Sequence, residues 1–222
     1  MDHAEKGLNM RNTTITLAAV FLSTGALAAE TYSADVWADN WFEMRIDGEQ
    51  VAEDSVSITT ERSFNAESFS FDAKPPFVIG LVAKDFKEND TGLEYIGSRR
   101  QQMGDGGVIV QIRNAAGDTV ALSNEGWQCL VTHTAPLNKS CESESNPVAG
   151  EGVCGFEEVD TPDGWDTVAF DASNWPQASV FSEAEVRPKQ GYDKITWDKS
   201  AKLIWGPDLE QSNTVLCRLT VE

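Results

Sequence analysis

From Trp41 onward the chain alternates: Phe42, Met44 and Ile46 are apolar, Glu43 and Arg45 are charged, and Asp47-Gly48 breaks the series before Glu49-Gln50-Val51. A period of two belongs to a strand with one buried face, and an Asp-Gly pair supplies the positive φ angles of a tight turn, so the pattern predicts a β-hairpin. Further strands are expected at residues 67–72, at 77–83 after Pro75-Pro76, at 107–113, at 119–122 after a turn over 114–118, at 201–205 and at 213–221. In the last of these Val215, Cys217, Leu219 and Val221 share a face, which places Cys217 among buried apolar side chains. Helical patterning is scarce. Ser182-Glu-Ala-Glu185 has the form of a capping box, but Pro188 follows almost at once and leaves room for one turn. Regular strands with little helix predict an all-β fold, an antiparallel β-sandwich of jelly-roll type, over residues 30–222 as one domain.

The segment before that domain reads differently. Residues 13–29 are apolar, follow Arg11 and close on Ala26-Leu27-Ala28, the pattern of a secretory signal peptide, so residues 1–29 are expected to be removed, with Met10 an alternative start. The stretch is shorter than the roughly 20 apolar residues a membrane helix needs, and no later segment approaches that length. A secreted or periplasmic protein without membrane insertion is the expectation.

Cysteine usage agrees with export. Cys129, Cys141, Cys154 and Cys217 all follow the signal, and an even count in an exported chain predicts two disulfides. Three pairings are possible; Cys141–Cys154, closing a polar loop near 136–160, and Cys129–Cys217, tying two apolar strands, are favoured. A zinc site is the weaker alternative, because no Cys-x-x-Cys pair occurs and His133 is the one histidine after the signal.

Acidic residues outnumber basic ones by 36 to 17, a formal charge of −19. Such a field disfavours nucleic acid and anionic lipid, both of which demand a basic surface. Its bland reading is solubility; its sharper reading is calcium held by carboxylates. Two groups offer hard oxygen ligands: Asp35, Asp39 and Asn40 around the first strand, and Asp85, Glu88, Asn89 and Asp90 after the 77–83 run. Neither has the spacing of an EF-hand, since Lys87 and Asp90 stand where that loop needs a ligand and a glycine. The glycine cluster Met103-Gly-Asp-Gly-Gly107 leads into a strand, so it reads as a turn and not as a phosphate cradle.

The segment Ala38-Asp-Asn-Trp-Phe-Glu-Met-Arg-Ile-Asp-Gly48, the apolar run 77–85, and Gly164-Trp165 followed by Phe170-Asp-Ala-Ser-Asn-Trp-Pro-Gln-Ala178 together resemble the galactose-binding-domain-like β-sandwiches. That resemblance implies a carbohydrate-binding role, with a carbohydrate or another cell-surface component as partner. Seven tryptophans fit it, because an indole face stacks on a sugar ring while carboxylates and amides accept its hydroxyls. Trp37, Trp41 and Trp205, with Asp39 and Asn40, are the candidate ligand contacts; Trp165 and Trp175 read as structural plugs. Asp35, Asp39, Asp85, Asn89 and Asp90 are the candidate metal ligands. No Gly-x-Ser-x-Gly elbow is present, and His133 sits in a strand-like run, so nucleophilic catalysis has little support. The expected function is a non-catalytic recognition module; a structural or adhesion protein of the cell exterior and a small carboxylate-dependent glycoside hydrolase or lyase are the alternatives.

Overall fold

The computed structural model describes Met1 and residues 29–222; apart from its two end residues, the expected signal segment lies outside the described residues. In chain order the strands are β1 (Glu30–Asp39), β2 (Trp41–Ile46), β3 (Glu49–Glu53), β4 (Asn65–Ala73), β5 (Phe77–Lys84), β6 (Leu93–Glu94), β7 (Gln102–Met103), β8 (Gly107–Asn114), β9 (Thr119–Leu122), β10 (Gln128–Thr134), β11 (Glu157–Glu158), β12 (Ser179–Phe181), β13 (Leu203–Trp205) and β14 (Ser212–Val221). One sheet has the order β12-β13-β8-β1-β4, with β9 also paired to β8, and the other runs β11-β10-β14-β5-β2-β3. β6 and β7 pair apart from both. Every strand pairing is antiparallel, as expected for the sandwich.

The main core lies between the sheets. Tyr32, Ala34, Val36 and Ala38 from β1 meet Phe42 and Met44 from β2, Phe77, Ile79 and Leu81 from β5, and Val215 from β14. β2 buries alternate residues as its period requires, and Asp47 (φ 47°) with Gly48 (φ 88°) turns the chain into β3. Cys129 and Cys217 stand opposite each other on β10 and β14 and are joined by a disulfide in this core. The second disulfide, Cys141–Cys154, packs with Leu93 and Met103 in a small separate cluster. The capping box at Ser182 is formed and starts the single turn α1 (Glu183–Val186).

Irregular segments cover both outer faces. Over the second sheet, Trp165 is buried and stacks on Trp175, Arg45 Nε donates to Asp166 Oδ2 at 2.6 Å, and Arg218 donates to the Thr167 carbonyl at 3.0 Å. A Cβ at Gly80 would lie 2.7 Å from Asp166 Cβ, so only a bare backbone lets this cover seat on β5. Over the first sheet, Trp37, Ile109, Val186 and Leu203 form a second apolar cluster, with Tyr192 and Trp197 against it. Burial on both faces explains why β5 reads as a nearly continuous apolar run.

The fold gathers several strand ends at one end of the sandwich. β1 belongs to one sheet and β2 to the other, so the chain crosses between them at Asp39-Asn40. Asp39 is in register with Gly107 at the start of β8, and the Asn40 N–H donates to the Lys84 carbonyl at the end of β5. The Asp85 N–H then donates to the Asn213 carbonyl of β14.

Candidate functional site

Three carboxylates meet where these strands end. Asp39 closes β1, Asp85 follows β5, and Asp105 sits in the glycine-rich loop between β7 and β8; each offers an oxygen within 4.8 Å of the others. Asp39 and Asp85 are buried, Asp105 is half-exposed. Glu94, on β6, is also buried and its carboxylate accepts a hydrogen bond from Gln102 Nε2 at 2.8 Å. Against these four acids stands Lys189, whose ammonium donates to Asp39 Oδ2 at 2.9 Å and to Asp105 Oδ1 and Oδ2 at 2.8 and 2.7 Å.

One ammonium does not balance that much buried negative charge. Burial pushes the Asp39 carboxyl up to about 7, with the Asp105 charge adding to the effect and Lys189 only partly opposing it. Glu94 is pushed up to about 8, again by burial first and Asp105 second. Asp85 is raised well above the ordinary carboxylate range by complete desolvation, then by Asp39, Glu94 and Asp105. Lys189 moves upward: desolvation acts against its charge, but Asp39 and Asp105 outweigh it. The ammonium therefore stays charged, and protons taken up here go to carboxylates. Both Asp85 oxygens and Asp39 Oδ1 are buried with no hydrogen-bond partner.

A cavity of about 310 Å³ opens beside the cluster, lined by Glu61, Arg62, Phe64, Glu94, Tyr95, Gln102, Asp105, Lys189 and Gln190. Its walls come from the segment before β4, from β6 and β7, from the glycine loop and from the segment after α1. The Phe64 ring lies under Lys189 Nζ at 4.9 Å, and the Tyr95 ring carries the Arg100 guanidinium at 4.1 Å. Two aromatic rings with amide, carboxylate and cationic groups around them suit a small ligand rich in hydroxyls.

The residues expected from sequence divide sharply. Asp39 and Asp85, from two different expected calcium groups, come together in one cluster. Asp35 does not join them: it takes Gln111 Nε2 at 2.8 Å and faces Arg113 at 3.7 Å. Asn89 caps the Thr91 N–H at 2.9 Å and Asp90 pairs with Lys87, both on the exposed surface. Trp37 and Trp205 are fully buried, so neither offers a face to a ligand; the cover over the first sheet encloses Trp37, and Trp205 is part of the main core. Trp41 is half-buried with Lys84 Nζ 4.8 Å over its ring.

Two of these residues nevertheless shape the cavity. Trp37 Nε1 donates to the Gln190 carbonyl at 3.1 Å, and Asn40 Nδ2 donates to the Glu61 carbonyl at 3.2 Å, so both hold wall segments in place. Glu94, Asp105 and Lys189 are not among the residues expected from sequence. The one local signal for Asp105 is the run Gly104-Asp105-Gly106-Gly107, in which the bare backbone is needed: a Cβ at Gly104 would lie 1.8 Å from Asp85 Oδ2. No protein-family model, curated protein or solved structure matches this chain. The two disulfides indicate an oxidising environment, and among the described residues no helix is long and apolar enough to cross a membrane.

Proposed function

We propose that the protein is an exported β-sandwich that recognises a small polyhydroxylated ligand, a sugar residue or similar polyol, in the cavity between Phe64 and Tyr95. The cavity's composition carries the reading: aromatic rings beside Gln102, Gln190, Arg62 and the three acids Glu61, Glu94 and Asp105 provide stacking faces and hydroxyl partners in one place. Its volume, about 310 Å³, falls at the lower end of the roughly 300–1,000 Å³ usual for small-molecule sites. The galactose-binding-like resemblance and the signal-like first 29 residues support the same assignment. The cavity's rings are not the tryptophans that the sequence put forward.

A glycoside hydrolase or lyase is the second reading, favoured by one observation. Glu94, raised to about 8, and Asp105 line the same cavity, which gives a protonated acid beside a second carboxyl group. A glycan array followed by a reducing-end assay on every bound glycan separates the two. Binding without release of new reducing ends or unsaturated products is the expected result. Turnover that is lost in Glu94→Gln makes the second reading correct, and an array without any bound glycan removes both.

A further inference from the structure

We propose that Asp39, Asp85 and Asp105 form a binding site for a hard divalent cation, calcium above all. Calcium takes oxygen ligands at about 2.3–2.6 Å, so oxygens sharing one ion stand no more than roughly 5 Å apart. The three carboxylates meet that limit, with ligand atoms all within 4.8 Å of one another. The second observation is independent of their proximity. Asp85 is buried and both of its oxygens, together with Asp39 Oδ1, have no hydrogen-bond partner, a condition a folded interior relieves by protonation or by an ion.

Lys189 does not fill that role for Asp85. Its ammonium is engaged with Asp39 Oδ2 and with both oxygens of Asp105, and it makes no hydrogen bond to Asp85. The donors are all oxygen, without histidine or cysteine, which selects calcium or magnesium over zinc or copper. Calcium is preferred because it accepts flexible carboxylate geometry and more ligands, whereas magnesium demands a near-ideal octahedron. A cation here ties Asp39, at the end of β1 in one sheet, to Asp85, just beyond β5 in the other, and fixes Asp105 on the cavity wall. It also competes with Lys189 for the Asp105 oxygens. The inference rests on the cluster alone and not on the cavity's ligand.

The test needs only the metal. Purified full-length mature protein is stripped with chelator, then titrated with calcium chloride by calorimetry, with thermal unfolding followed in parallel. Terbium luminescence excited through tryptophan gives a direct readout, since Trp205 packs against Gly106 next to Asp105. Saturable binding and a midpoint raised by several degrees are expected, with magnesium weaker. Asp85→Asn and Asp105→Asn weaken calcium by more than about 100-fold, while the metal-free Asp85→Asn protein unfolds no earlier than wild type. Lys189→Gln, which withdraws the competing ammonium, tightens calcium by roughly tenfold or more. Asp90→Asn binds as wild type does. A wild-type protein that shows neither heat, midpoint shift nor terbium signal at millimolar metal overturns the proposal, as does calcium binding that survives Asp85→Asn and Asp105→Asn unchanged.

Discussion

At the scale of the residue, burial decides what a side chain does here more than its chemical type. Asp54 illustrates this away from the site: its Oδ1 accepts the Val56 N–H at 2.8 Å, its Oδ2 is buried without a partner, and desolvation raises it to about 6. The native state holds this proton more tightly than the unfolded chain does, so the ionised group costs stability above about pH 6, and the cost fades as pH falls through 6 toward 4. Asp54→Asn keeps the Oδ1 acceptor and replaces the unpaired oxygen with a neutral donor. Unfolding of this variant in denaturant is expected to show a gain of about 1–3 kcal/mol at pH 7.5 and little change near pH 4. Trp37 illustrates the same rule in the opposite sense. Expected as a ligand contact, it is fully buried instead, and its indole holds the Gln190 carbonyl from behind the cavity wall. Trp37→Phe should therefore lower stability by about 1–3 kcal/mol and weaken glycan binding, whereas Trp41→Ala leaves binding unchanged in the same titration.

At the scale of the element, most strands were legible because their period is local, although β1 (Glu30–Asp39) is not among those expected from sequence. The 41–51 hairpin, the runs at 77–83, 107–113 and 213–221, the capping box and both cysteine pairs all stand where their residues put them. The covers were not legible, because nothing in the pattern of β1 says that a segment some 150 residues on will enclose Trp37. The cluster was half legible for the same reason. Asp39 and Asp85 are conspicuous acids at strand ends, but what joins them is the crossing of the chain between sheets at Asp39-Asn40 and the pairing of β2 with β5, and Asp105 lies in a loop that reads as a turn. Glu94 and Lys189 carry no local signal at all. The cover over the second sheet gives an element-scale prediction. Gly80→Ala places a Cβ 2.7 Å from Asp166 Cβ, so urea unfolding should show a loss of about 1–3 kcal/mol through a lower midpoint at unchanged slope.

At the scale of the whole molecule, the charge of −19 and the position of the cavity act together. Beside the cavity the carboxyls of Asp39, Asp85 and Glu94 are held toward the protonated form, so an acidic glycan is repelled chiefly at long range, by the net charge of the molecule. Neutral polysaccharides should retard the protein in affinity electrophoresis at low salt, and sulfated or uronic ones should not. The sandwich itself serves mainly to bring strand ends from both sheets to one place, where an irregular wall from four separate segments becomes possible. This wall is the proposed binding surface. Chemical-shift mapping of the isotopically labelled protein, titrated with the tightest neutral glycan from the array, tests it most directly. Saturable perturbations concentrated at Phe64, Tyr95, Gln102 and Gln190 are expected. Perturbations confined to another part of the surface, such as the face around Tyr192 and Trp197, would contradict it.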